Sequence, residues 1–169
     1  MDFEQIVKNR FSTRVFSDKK VEKSVVEKIL NDIRLAPTGK NKQPYQVLVI
    51  ESEENLKKVD NVTVCRFNAP LVLAFLGDNS NPCIMPDGRR LLETDLAIVT
   101  TYALLSIENQ GLGGCWVCRF SKEDFIKEFN LPPHLEPFNF IMVGYKTSET
   151  HRSENFAKRR KVEEFTTYM

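Results

Sequence analysis

Long uninterrupted apolar runs are missing from this chain. Its most hydrophobic stretch, 91–109, is broken by Glu93 and Asp95 and is not a membrane span. No apolar segment stands at the N-terminus, so neither signal peptide nor anchor is expected, and the expected compartment is the cytoplasm. An excess of one charge is missing too. The 24 Lys+Arg against 23 Asp+Glu argue against a surface that as a whole binds nucleic acid or membrane. Cysteine is scarce: the four, at 65, 83, 115 and 118, are too few and too scattered for a disulfide scaffold. His134 and His151 have no paired cysteine knuckles beside them and are expected at the surface or in structural roles. There is no repeat, no low-complexity tract and no P-loop. Gly111-x-Gly113-Gly114 lacks the third glycine of a dinucleotide fingerprint and follows a helical stretch rather than opening one. What remains is a single domain, 1–169, long enough for a real core.

That core is expected around 91–109. Leu91, Leu92, Leu96, Val99, Ala103, Leu104 and Ile107 recur at helical spacing, and further apolar residues cover nearly every other face, the mark of a buried helix. Pro86-Asp87-Gly88 marks its start and Gly111 its end. The glycines that follow, through Gly113 and Gly114, carry no side chains, so a flat molecule could approach the backbone closely there.

Around this centre, Asp2 with Gln5 and Ser24 with Glu27 read as capping boxes of two helices. The second buries Val25 or Val26, Ile29, Leu30 and Ile33 and stops before Pro37. Strands are expected over 46–50, 71–76 and 138–145, with an extended segment over 11–16. A short helix is expected over 52–59. Another is capped by Ser121, with Phe125, Ile126 and Phe129 inward. The pattern is α+β: a small central sheet, mixed or antiparallel, flanked by helices.

Four stretches carry candidate chemistry. Arg10, Ser12 and Arg14 alternate, so in an extended chain they share one face. Two guanidinium forks and a hydroxyl suit a phosphate, although a solvated basic edge has the same spacing. The loop 36–44 offers Thr38, Asn41 and Gln43, whose amides could match a heterocycle's imide edge or serve an ordinary turn. Cys115-Trp116-Val117-Cys118 is either a dithiol or a pair of small core residues. On a strand, positions three apart point to opposite faces and cannot bridge. Lys158-Arg159-Arg160-Lys161 reads as a targeting cluster, a solvated tail or a second phosphate-binding arm.

As an ordered set, these stretches resemble the nitroreductase family of flavin enzymes. Arg10-Phe11-Ser12-Thr13-Arg14 resembles its phosphate signature, and Ala36-Pro37-Thr38-Gly39-Lys40-Asn41-Lys42-Gln43-Pro44 its amide loop. Asp95 and Ala97, leading to Gly111-Leu112-Gly113-Gly114-Cys115-Trp116, resemble the segment beside the flavin. Lys158-Arg159-Arg160 with Glu163-Glu164 resembles the family's C-terminal end. Cys118-Arg119 stands where many members have Gly-Gly, and Val162 where proline is common.

The resemblance implies the nitroreductase fold as a domain-swapped homodimer, with 146–169 as an arm reaching the partner and FMN held non-covalently at the interface. Arg10, Ser12, Arg14, Lys158 and Arg160 would hold the phosphate, and Thr38 and Asn41 would lie along the ring and ribityl edge. Gly113, Gly114 and Cys118 would lie beside the flavin, with backbone N–H groups after Trp116 at N5 and O4. It further implies ping-pong hydride transfer from NAD(P)H to a small organic acceptor, a nitroaromatic or a quinone for instance, with no side chain acting as acid or base. An FMN-binding carrier or sensor without efficient turnover, and a scaffold that binds no flavin, are the alternatives.

Overall fold

Strand β2 (Leu71–Asp78) sets the architecture, because it is apolar on both faces. Leu71, Leu73 and Phe75 enter one core, while Val72, Ala74 and Leu76 enter another. Such a strand must be covered on both sides. The computed structural model, which describes residues 1–169, shows how. β2 lies between β1 (Tyr45–Ile50) and β4 (Leu135–Gly144), and β3 (Gly113–Val117) extends the sheet beyond β4. All three pairings are antiparallel. The one parallel contact is the isolated bridge between Ser12 and Gly114.

Helices α2 (Lys23–Ile33) and α4 (Leu92–Asn109) cover one face of the sheet; α3 (Glu53–Val62) and α5 (Lys122–Glu128) cover the other. The short α1 (Phe3–Asn9) lies against α4. Its capping box is formed as expected, Asp2 accepting from the Gln5 N–H. Ser52 and Ser121 cap α3 and α5 in the same way.

Three expectations need correction. Ser24 and Glu27 form no box, because α2 starts one residue before Ser24 with Glu22 at its N-cap. The Glu22 carboxylate faces away to the Tyr145 hydroxyl and Lys19, which hold its pKa down to about 2. On α5 only Phe125 is fully buried, and Ile126 is 37 % exposed, because the apolar face is narrower than its sequence pattern. α4 is not buried all round either: Ala97, Ile98 and Leu105 are half-buried and Tyr102 is 39 % exposed. The rest of the chain covers that face only in part. It borders two open cavities of about 570 and 500 Å³ that meet at Tyr102.

Two glycines after α4, Gly113 and Gly114, are tightly packed on the side where a Cβ would stand. A Cβ on Gly113 would lie 2.6 Å from the Cγ2 and Oγ1 of Thr13, and one on Gly114 3.1 Å from Leu104 Cδ2. Their role is therefore close packing. The chain at 12–14 sits directly on β3, with the Thr13 N–H donating to the Gly114 carbonyl at 3.0 Å, so the side on which a Cβ would stand is taken up by the protein itself. Thr13 is fully buried and β-branched, so it has little freedom to yield. Gly113→Ala is expected to cost about 1–3 kcal/mol through overpacking. The check is the urea midpoint at constant m; an unmoved midpoint would show that Thr13 swings aside.

Candidate functional site

Where α1 ends, the backbone turns extended at Arg10 and runs alongside β3. Thr13 points into the core, so its alternating neighbours Arg10, Ser12 and Arg14 turn the other way. These three line one cavity of about 180 Å³, as their spacing predicts. Its opposite wall is Ser153, Asn155, Phe156 and Arg159 from the C-terminal arm. No carboxylate lines it. None of Arg10, Arg14 and Arg159 forms an ion pair anywhere in the chain. Three unpaired guanidinium groups with hydroxyl and amide donors between them fit a small polyanion such as a phosphate.

Arg159, not Lys158 or Arg160, supplies the arm's cation to this cavity. Arg160 instead lies over the Phe165 ring, 5.5 Å from its centroid, and neither it nor Lys158 lines the cavity. The available signal was Phe156, the one aromatic between Tyr145 and Phe165. An apolar residue in so polar a stretch marks where the arm docks, and Arg159 follows it closely.

The amide loop forms a second, separate half. Lys40, Asn41 and Gln43 all have φ near +50°, at 52, 52 and 50°. For non-glycine residues this conformation is costly and must be held from outside. The Thr38 hydroxyl accepts the Gln43 N–H at 3.0 Å, and the Gln43 amide donates to the Asn41 carbonyl at 3.1 Å. The Gly39 N–H donates to Asp95 Oδ1 at 2.8 Å, which anchors the loop to α4. Asp95 is 2 % exposed and its other oxygen has no partner. Thr38 and Gln43 thus shape the loop, while the exposed Asn41 amide makes no bond within the chain. About 18 Å of helix axis separates Asp95 from Ile107, against which Gly114 packs.

The cysteine pair is split, one thiol buried and the other exposed. Cys115 is 2 % exposed in the core around Phe125 and Phe140, where burial pushes its thiol pKa up. Cys118 lies just past β3 in solvent, accepting from the Trp116 indole N–H at 3.0 Å. Chemically, the two halves offer an anion site and a free polar edge. Asp95, the buried acid at the loop, is committed to the loop backbone through one oxygen.

A model of the nitroreductase family matches residues 7–81 and 66–145. A protein of Methanothermobacter thermautotrophicus, named as a candidate NADH dehydrogenase/NAD(P)H nitroreductase, is 27% identical over 152 residues, 86% of this chain and 78% of that one. The crystal structure of a nitroreductase family protein from Clostridium difficile 630 is similar at 36% identity with a TM-score of 0.92, covering 99% of this chain and 98% of its own. That of a candidate nitroreductase from Exiguobacterium sibiricum in complex with FMN shares the fold at 19% identity, with a TM-score of 0.85 over 100% of this chain and 98% of that one.

Proposed function

Since the chain belongs to the nitroreductase family, we propose that it is an FMN-dependent oxidoreductase, taking hydride from NAD(P)H and passing it by a ping-pong route to a small organic acceptor. The observation that carries this reading is the acid-free cavity with three unpaired guanidinium groups, Arg10, Arg14 and Arg159. A phosphate monoester is close to a dianion at neutral pH, and Ser12, Ser153 and Asn155 add donors without adding negative charge. Lys158 and Arg160 flank Arg159 and raise the local positive potential. Bound FMN supplies the hydride chemistry; the chain's part is to hold and orient it. The Asn41 amide and Thr38 would border the ring and ribityl chain, and backbone N–H groups from Cys118 onward would meet the ring edge. Gly113 and Gly114, packed against Thr13 and Leu104, would lie in the segment beside the flavin.

The two halves also bear on assembly. About 18 Å apart along α4, they are best combined if a second copy brings its amide loop to this cavity. The partly covered face of α4, with Ala97, Ile98, Tyr102 and Leu105, is the surface on which that copy would sit. The reading is therefore a homodimer with a site built from both chains.

The test is direct. Purified protein is expected to be yellow, to release FMN rather than FAD on heating, and to sediment as a dimer while loaded. Bleaching by NAD(P)H and recovery with a quinone or nitroaromatic would establish turnover; a flavin that NAD(P)H leaves oxidised would support the carrier alternative. A colourless protein that takes up no added FMN would end the reading.

A further inference from the structure

The arm that supplies half of the phosphate cavity is exposed along almost its whole length. Beyond Thr150, whose hydroxyl donates to the Val15 carbonyl at 2.9 Å, one side chain hydrogen-bonds it to the body of the chain. Arg152 Nη2 donates to the carbonyls of Lys8 at 3.1 Å and Asn9 at 3.3 Å, the last residues of α1. Its guanidinium lies 5.6 Å from the Phe11 centroid and 4.6 Å from that of Phe156. Phe11 and Phe156 meet edge to face at 6.5 Å. Arg159 rests on the same Phe156 ring at 5.0 Å. Lys146 lies 5.3 Å from the Phe11 ring. Arg152 itself does not line the cavity.

These contacts have a physical logic. The last carbonyls of a helix lack intrahelical partners and carry partial negative charge, so a cation there is favourable. A planar guanidinium can satisfy them while its face rests on aromatic rings, which an ammonium does less well. Arg10, Arg14, Arg152, Arg159 and Lys146 nevertheless crowd together, and of these only Lys146 has a carboxylate partner. Without an anion their mutual repulsion works against keeping the arm closed; a dianion in the cavity removes that penalty.

We infer that Arg152 is a positioning residue that clamps the arm at 153–159 over the cavity, so that phosphate affinity and arm closure are coupled through a residue that does not touch the phosphate. The inference rests on the FMN reading for the identity of the ligand, but not for the docking itself.

The chain carries its own reporter, because Lys158, Arg159, Arg160 and Lys161 are adjacent trypsin sites. Cleavage there is followed by mass spectrometry in wild type, Arg152→Ala and Arg152→Lys, free and with FMN or riboflavin, beside affinity titrations of both flavins. In wild type, FMN should slow cleavage and riboflavin should not. In Arg152→Ala, FMN affinity should fall roughly tenfold, as for loss of one charge-assisted contact. Riboflavin affinity and melting temperature should hold, the free arm should be cut several-fold faster, and FMN should no longer protect it. Arg152→Lys should recover part of the FMN preference. Wild-type cleavage and FMN affinity in Arg152→Ala would overturn the inference, and so would equal losses for both flavins. If wild type binds no flavin, the FMN reading falls by itself and the cleavage rate decides the docking: faster in Arg152→Ala sustains the clamp, unchanged removes it.

Discussion

Replacing Lys146 by alanine is expected to destabilise the protein by about 3 kcal/mol, the lower end of the ~3–5 kcal/mol seen when a buried ion pair loses one partner. Lys146 Nζ bonds both oxygens of Glu108, at 2.9 and 2.8 Å. The Glu108 side chain is 6% exposed, so without Lys146 its charge would be stranded away from water. Its position makes matters worse. Glu108 occupies the last turn of α4, where the helix carbonyls already place negative potential. Lys146 keeps 26% of its own side chain exposed, and water entering at that point is the reason for choosing the lower figure. For a domain of this size, about 2–4 °C per kcal/mol implies a fall in melting temperature of roughly 6–12 °C. Adding Glu108→Gln to Lys146→Ala should recover much of it, because the stranded group is then neutral. A loss below about 1 kcal/mol in Lys146→Ala, within the range of surface pairs, would show that water reaches Glu108 freely.

Arg14→Ala is expected to weaken FMN binding by roughly ten- to a hundredfold. A hydrogen bond to a charged group contributes about 1.5–3 kcal/mol, and about 1.4 kcal/mol is a factor of ten. Binding should not vanish, since Arg10 and Arg159 still line the cavity. Riboflavin has no phosphate, so its affinity should barely change. The preference for FMN should also shrink in wild type below about pH 6, where a phosphate monoester gains a proton and loses half its charge. Flavin fluorescence quenching measures all of this with two ligands and two proteins. Equal losses for both ligands would point to a damaged fold, and an undiminished FMN affinity would place the phosphate elsewhere.

Much of this was legible without coordinates because it follows from backbone periodicity. An apolar run from Leu71 to Leu76 has to be covered on both faces, and it is. Asp2 and Ser121 cap helices because their side chains reach backbone N–H groups three residues on. Arg10, Ser12 and Arg14 share a face because an extended chain alternates.

What the sequence could not determine was which distant segment meets each of these faces. Gly113 and Gly114 were recognisable as places of close approach, but only the packing shows that Thr13 and Leu104 make the approach. Lys158, Arg159 and Arg160 are interchangeable as charges in a string. Only the docking of Phe156 against Phe11, with Arg152 beside it, turns Arg159 toward the cavity and leaves Arg160 on Phe165. α4 reads as apolar on every side, yet this chain covers only part of it. Periodicity is a property of consecutive residues and survives in the bare sequence; the choice of packing partner depends on chain separations of a hundred residues and more, as between Arg152 and Lys8, and tertiary structure alone makes it.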